Sequence, residues 1–93
     1  MLSLYTPYDV QLALAHFVKT TRKSKRISVK ALSEKSGVPN STIRLFEKTG
    51  KISMPQFLMI YAQIGQLENI HALTKIRKIP KTLDEVLDLA KSE

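Results

Sequence analysis

Apolar residues recur every three or four positions along most of the chain, which is the period of an α-helix. The first such segment begins at Thr6-Pro7, where a capping threonine precedes a proline at the first helical position and Asp9 follows. We expect a helix from about Pro7 to Lys23, with His16 on its solvated side. Its predicted inner face consists of Val10, Leu14, Phe17, Val18 and Thr21.

Two short helices are predicted next. Ser28 can cap a helix from Val29 to Ser36, and Gly37 can end it in the left-handed conformation. A further helix runs from about Asn40 to Lys48, with Gly50 past its end.

Ile43 and Phe46, three residues apart, face inward on this second short helix. Two short helices joined through a glycine are the layout of a helix-turn-helix, here Ser28 to Gly50, in which the second helix can enter the major groove. Short helix pairs of this kind also occur in ordinary helical bundles.

The rest of the chain also predicts helices. Ser53 and Gln56 form a capping box that opens a fourth helix, which is apolar nearly all round, ends at Gly65 and should be the central one. A fifth helix is indicated by Leu67, Ile70, Leu73 and Thr74.

A short carboxy-terminal helix is expected over 82–91, after Ile79-Pro80. Residues 1–5 are consistent with either a short strand or a loose arm. The prediction is therefore an all-α fold of five helices plus the short last one, in a single domain over 1–93.

Size and composition narrow the class of protein. A chain of 93 residues with 43% hydrophobic and 25% charged residues suits one globular domain. It has no cysteine, which excludes disulfides and thiolate metal sites. The longest apolar run, around Phe57 to Ala62, is too short to cross a bilayer, and no export signal is visible. We expect a cytoplasmic protein that does not enter membranes.

The net charge of +7 is concentrated in one third of the chain. From Lys19 to Lys51 there are ten lysines and arginines against Glu34 and Glu47, whereas the remaining residues carry a net charge of −1. Such a concentration favours a polyanionic partner. A solvated basic face without a partner, or a membrane surface, would give the same pattern.

The outward face of the third helix carries the candidate DNA contacts. Asn40, Ser41, Thr42 and Arg44 can hydrogen-bond base edges or phosphates. Leu45 can rest against a thymine methyl group, although an isolated surface leucine is ordinary.

Candidate phosphate contacts lie at the neighbouring helix starts. Ser28 and Ser53 begin helices flanked by basic residues, and free amides at such ends bind phosphate. Lys25 and Arg26 precede the first serine, and Lys48 and Lys51 precede the second. Lys30 is a further candidate contact with the DNA backbone. Both serines can equally act as caps alone.

The stretch ISVKALSEKSGVPNSTIRLFEKTGKISMPQFLMIYAQIG, residues 27–65, resembles the lambda-repressor-like or XRE helix-turn-helix family. The run STIRLFEKTGKIS and the terminal TLDEVLDLAK look like its antitoxin branch typified by HipB. The resemblance implies that Asn40, Ser41 and Arg44 read bases, and that Thr42, Ser28 and Lys51 contact the backbone. Val29 and Leu45 depart from residues common in relatives, which leaves the operator sequence undetermined.

The same resemblance implies a homodimer formed through Leu67, Ile70 and Leu73, which binds a pseudo-palindromic operator. These three side chains can alternatively complete the core. It also implies a HipA-like kinase toxin as partner, repression of the protein's own operon, and a bacterial protein associated with the nucleoid. The alternatives are a stand-alone phage or host regulator of the same fold and a protein-interaction adaptor with an incidental basic face.

No enzymatic activity, cofactor or metal is expected. His16 and His71 are predicted on different helices, and no nucleophile and base occur at a catalytic spacing. The carboxylates Asp84, Glu85 and Asp88 are predicted to lie on one solvated helix face.

Overall fold

A computed structural model describes residues 4–75, which form helices throughout and contain no β-strand. The all-α prediction is confirmed over this range. The predicted helix over 82–91 and residues 1–3 of the predicted arm lie outside the described residues. The elements are α1 (Pro7–Ser24), α2 (Val29–Ser36), α3 (Asn40–Thr49), α4 (Met54–Ile64), α5 (Leu67–His71) and a 3₁₀-helix (Ala72–Lys75).

α1 begins with the predicted capping box. The backbone N–H of Asp9 donates to Thr6 Oγ1 at 3.1 Å, and the backbone N–H of Thr6 donates to Asp9 Oδ2 at 3.0 Å. The hydrogen bonds from the Thr6 backbone and side chain hold the pKa of Asp9 below its ordinary value. Two of the amides that a helix start leaves without a partner are thereby satisfied.

The inner face of α1 differs from the predicted one. Ala15, Val18 and Arg22 are buried, whereas Val10 and Phe17 are 47% and 44% exposed. The prediction was wrong for Val10 and Phe17 and right for Val18, because the buried stripe of α1 runs through Ala15, Val18 and Arg22 and so lies to one side of the stripe expected from the apolar spacing. His16 is exposed, as expected.

The predicted caps fix the limits of α2 and α3. Ser28 Oγ accepts from the Ala31 amide at 3.0 Å, and Gly37 ends α2 with φ of 80°. Gly50 ends α3 with φ of 77°, and a Cβ there would lie 3.1 Å from the carbonyl carbon of Gln11. Glycine is required at this position both by conformation and by space.

α4 packs against α1, α2 and α5 and supplies Phe57, Ile60, Tyr61 and Ile64 to the core. Its position agrees with the prediction of a central helix, although Met59 on its outer side is exposed. The capping box at its start is half formed. Ser53 Oγ accepts from the backbone N–H of Gln56, but the Gln56 side chain accepts from the Ser53 hydroxyl and not from the Ser53 backbone N–H. The remaining core residues are Ala15, Val18, Val29, Leu32, Val38, Ile43 and Phe46.

Candidate nucleic-acid interface

α3 has one anchored face and one free face. Ile43 and Phe46 are completely buried, and the Phe46 ring meets that of Phe57 edge to face with centroids 5.8 Å apart. The opposite face is polar and open to solvent. Its exposed members are Asn40, Ser41, Arg44, Leu45 and Lys48, while Thr42 is half-buried between the two faces.

A buried ion pair joins α3 to α1. Arg22 Nε donates to Glu47 Oε2 at 2.8 Å and Nη2 donates to Oε1 at 2.9 Å, so the contact is bidentate. Nη1 donates to the carbonyl of Ile27 at 2.9 Å. The hydrogen bonds that Arg22 donates to Glu47 raise the pKa of Arg22, which is only 8% exposed. This pair fixes the rotation of α3 about its axis, and with it the direction of the polar face.

This pair is not predicted from the sequence, where Arg22 counts among the cations available to a polyanion. A signal for it exists in the spacing. Arg22 follows Ala15 and Val18 by seven and four residues, so it lies on the buried stripe of α1, and Glu47 follows Ile43 by four. A charge on an apolar stripe requires a partner of opposite charge on the facing helix.

The end of α3 is also tied down. Gln11 Nε2 on α1 donates to the carbonyl of Gly50 at 3.1 Å. Thr49 Oγ1 donates to the Leu45 carbonyl at 2.7 Å and accepts from the Lys51 amide at 3.2 Å. These bonds satisfy backbone groups where the helix stops and set the course of the chain toward Ser53.

A polar hollow of about 450 Å³ lies between α1, α2 and α3, and we call it the basic depression. Its buried members are Arg22 and Val29, and it is also lined by Glu47, a half-buried residue whose side chain is 7% exposed. Its exposed members are all cationic: Lys19 and Lys23 from α1 and Arg44 and Lys48 from α3. The structure therefore brings two of the predicted contact residues, Arg44 and Lys48, together with two lysines that sequence reasoning did not single out.

The residues predicted to contact the DNA backbone differ in their own contacts within the protein. The hydroxyls of Ser28 and Ser53 each accept the amide three residues on, so both act as helix caps. Lys30 and Lys51 are exposed, and neither lines the basic depression. The two serines remain exposed at helix starts, where the neighbouring amides point outward.

A second hollow, of about 400 Å³, is almost wholly apolar, and we call it the apolar groove. It lies between the first turns of α1, the start of α4 and the end of the described chain. Among its lining residues are Val10, Leu14, Met54, Ile70 and Leu73. Of the predicted interface residues, Ile70 is half-buried in the groove, Leu73 is 63% exposed in it, and Leu67 is exposed outside it.

Within residues 4–75, no three histidine or carboxylate side chains come together in a way that could hold a metal ion. The same part of the chain has no helix that is both long enough and apolar enough to span a membrane. No family model, no curated protein and no solved structure matches this chain.

Proposed function

We propose that this protein is a sequence-specific DNA-binding repressor, in which α2 and α3 act as a lambda-repressor-like helix-turn-helix and α3 enters the major groove. The observation that carries the proposal is the arrangement of α3. Its polar face, which includes Arg44 and Lys48, is exposed beside Lys19 and Lys23 of α1. Ile43, Phe46 and Glu47 anchor the opposite side.

The dimensions and the chemistry of α3 suit this role. With its side chains an α-helix is about 10–12 Å in diameter, which fits a major groove about 12 Å wide, and the ten residues of α3 extend about 15 Å along it. A helix that reads bases must present its side chains in a fixed direction, because bidentate hydrogen bonds to base edges tolerate little rotation. The contacts of Glu47 and Gly50 with α1 provide that rigidity.

In this proposal, Asn40, Ser41 and Arg44 contact base edges and Leu45 lies against a thymine methyl group. Exposure of all four side chains is consistent with these roles. The phosphate backbone of the DNA is contacted by polar side chains and amides around α3. These are Ser28, Lys30, Thr42, Lys48, Lys51 and Ser53.

A second copy of the chain completes the proposal. Leu67 and Leu73 are exposed, and Leu73 borders the apolar groove, so burying this surface against the same surface of another copy is favourable. A two-fold dimer binds a pseudo-palindromic operator with half-sites about one helical turn apart. The resemblance to HipB-like antitoxins extends the proposal to repression of the protein's own operon together with a HipA-like kinase toxin.

Paired substitutions test the roles on DNA. Arg44→Ala should relax the preference for one base pair of each half-site because a bidentate contact is lost. On a duplex that the wild type selects from random DNA, the binding free energy should weaken by about 1–3 kcal/mol. Lys51→Ala should weaken selected and scrambled duplexes equally. Both side chains are exposed, so neither change should lower thermal stability appreciably.

Selection of a binding site from random duplexes, followed by titration of both variants on selected and scrambled DNA, provides the measurement. An Arg44→Ala variant that keeps full discrimination would contradict the assignment of base reading. A wild-type protein that selects no sequence would overturn the proposed function itself.

A further inference from the structure

The basic depression contains four cations in a paired arrangement. Lys19 and Lys23 are four residues apart on α1, and Arg44 and Lys48 are four residues apart on α3. Residues at this spacing lie on the same face of a helix, and like charges there destabilise the helix. Two such pairs border one hollow, so their mutual repulsion is unfavourable in the protein alone.

Among residues 4–75, no carboxylate is left to neutralise them. Glu47 is the one acidic residue of this range that lines the depression, and both of its oxygens are occupied by Arg22 in a bidentate contact. The other acidic residues within 4–75, which are Asp9, Glu34 and Glu68, do not border it. The pair of Arg22 and Glu47 has no net charge, so the four exposed cations of the depression leave it with a charge of about +4.

We propose that the basic depression is a phosphate-binding site in which Lys19 and Lys23 of α1 act together with Lys48 of α3, while Arg44 borders the site and adds its charge. A phosphate group is compact, multiply charged and rich in hydrogen-bond acceptors, which matches donors converging from two helices. A carboxylate offers less charge to the same four cations.

This inference rests on the proposed function for the source of the phosphate. If α3 lies in the major groove, a DNA backbone phosphate beside that groove occupies the depression, next to the Arg44 that reaches a base. α1 then contributes directly to DNA affinity, which extends the interface beyond the segment 28–53. Free inorganic phosphate shares the same chemistry and serves as an independent probe.

The test removes the two α1 charges with Lys19→Gln and Lys23→Gln together. The matched control removes two exposed lysines that lie outside the depression, Lys35→Gln and Lys75→Gln. Affinity for the selected duplex and for a scrambled one is measured over a series of salt concentrations.

For the α1 variant, the slope of log affinity against log salt should become shallower by about 0.9 for each half-site, the value for one neutralised phosphate, and so by about 1.8 for a dimer on both half-sites. The loss should be equal on both duplexes because phosphates carry no sequence information. The control should keep the wild-type slope. An unchanged slope in the α1 variant, or an equal change in the control, would overturn the phosphate site.

A second measurement does not depend on DNA. Titration of the wild-type protein with inorganic phosphate, followed through the NMR signals of the lysine ε-methylene groups, should shift Lys19 and Lys23 at lower concentrations than Lys35 and Lys75. Uniform shifts of all lysines would contradict the site. If these two lysines respond to phosphate but the protein selects no DNA sequence, the proposed function fails while the phosphate site stands.

Discussion

The basic depression and the apolar groove are both lined by α1 and α3, yet they offer opposite chemistry. The early turns of α1 contribute Val10 and Leu14 to the apolar groove, and the late turns contribute Lys19 and Lys23 to the basic depression. The 18 residues of α1 thus line two different surfaces, one at each end of the helix.

The two hollows would therefore contribute to binding through different interactions. Apolar surface gains from leaving water and is little affected by salt, whereas cations gain from phosphate contacts that salt weakens. A protein that binds DNA as a dimer needs both kinds on different sides. We therefore expect substitutions in the two hollows to affect different measurements, provided that the core between them is intact.

The largest effect should come from Phe46→Ala, because this side chain is completely buried and borders the apolar groove from within the core. Loss of a buried phenylalanine costs about 3–5 kcal/mol, a large share of the stability of a small domain. The variant should lose DNA binding and association together. Chemical denaturation of the wild type and the variant measures the difference.

Leu45→Ala is the matched control, since Leu45 precedes Phe46 on α3 but is 51% exposed. Its effect on the free energy of unfolding should stay within about 0.5 kcal/mol. Equal stability of the wild type and the Phe46→Ala variant would show that α3 is not seated as described.

The limits of the helices could be predicted from the sequence because local chemistry sets them. Thr6, Ser28 and Ser53 act as caps, and Gly37 and Gly50 take the left-handed conformation at the predicted positions. Each of these signals depends on residues within one turn of the chain, so a single sequence contains all the information required.

The contacts between helices could not be predicted in the same way. Which face of α1 is buried depends on how closely α3 and α4 approach, and Val10 and Phe17 are consequently exposed. The pairing of Arg22 with Glu47 joins residues 25 apart, and the basic depression follows from that pairing. The exposed face of α3 was predicted from Ile43 and Phe46, whereas the lysines of α1 beside it were not.

The next effect in size concerns the buried pair beneath the basic depression. Glu47→Gln leaves the guanidinium of Arg22 buried without its counter-charge, which should cost about 3 kcal/mol. The pKa of Arg22 is raised in the folded state, so its contribution is complete below its ordinary value and falls only as pH rises through the raised one. The loss measured by denaturation should therefore be the same at neutral and mildly alkaline pH.

Two further variants sharpen this result. Glu34→Gln removes an exposed carboxylate from α2 and should leave stability within about 0.5 kcal/mol of the wild type. Replacing both partners, with Arg22→Met and Glu47→Leu, should recover much of the loss because no buried charge remains. If Glu47→Gln alone proved neutral, the pair would not be what holds α3.

The smallest effect should come from Leu73→Glu at the edge of the apolar groove, because Leu73 is exposed and its replacement leaves the folded chain intact. Placing a carboxylate in the proposed contact between copies should weaken the dimer at least tenfold, or about 1.4 kcal/mol. Leu45→Glu makes the same change on the side of the basic depression and should leave association unchanged. Sedimentation equilibrium of the three proteins at low and high salt compares them directly. The wild-type dimer should persist at salt concentrations that abolish DNA binding, since its contact is apolar. A wild-type protein that stays monomeric, or a Leu73→Glu variant that dimerises normally, would assign the groove no role in association.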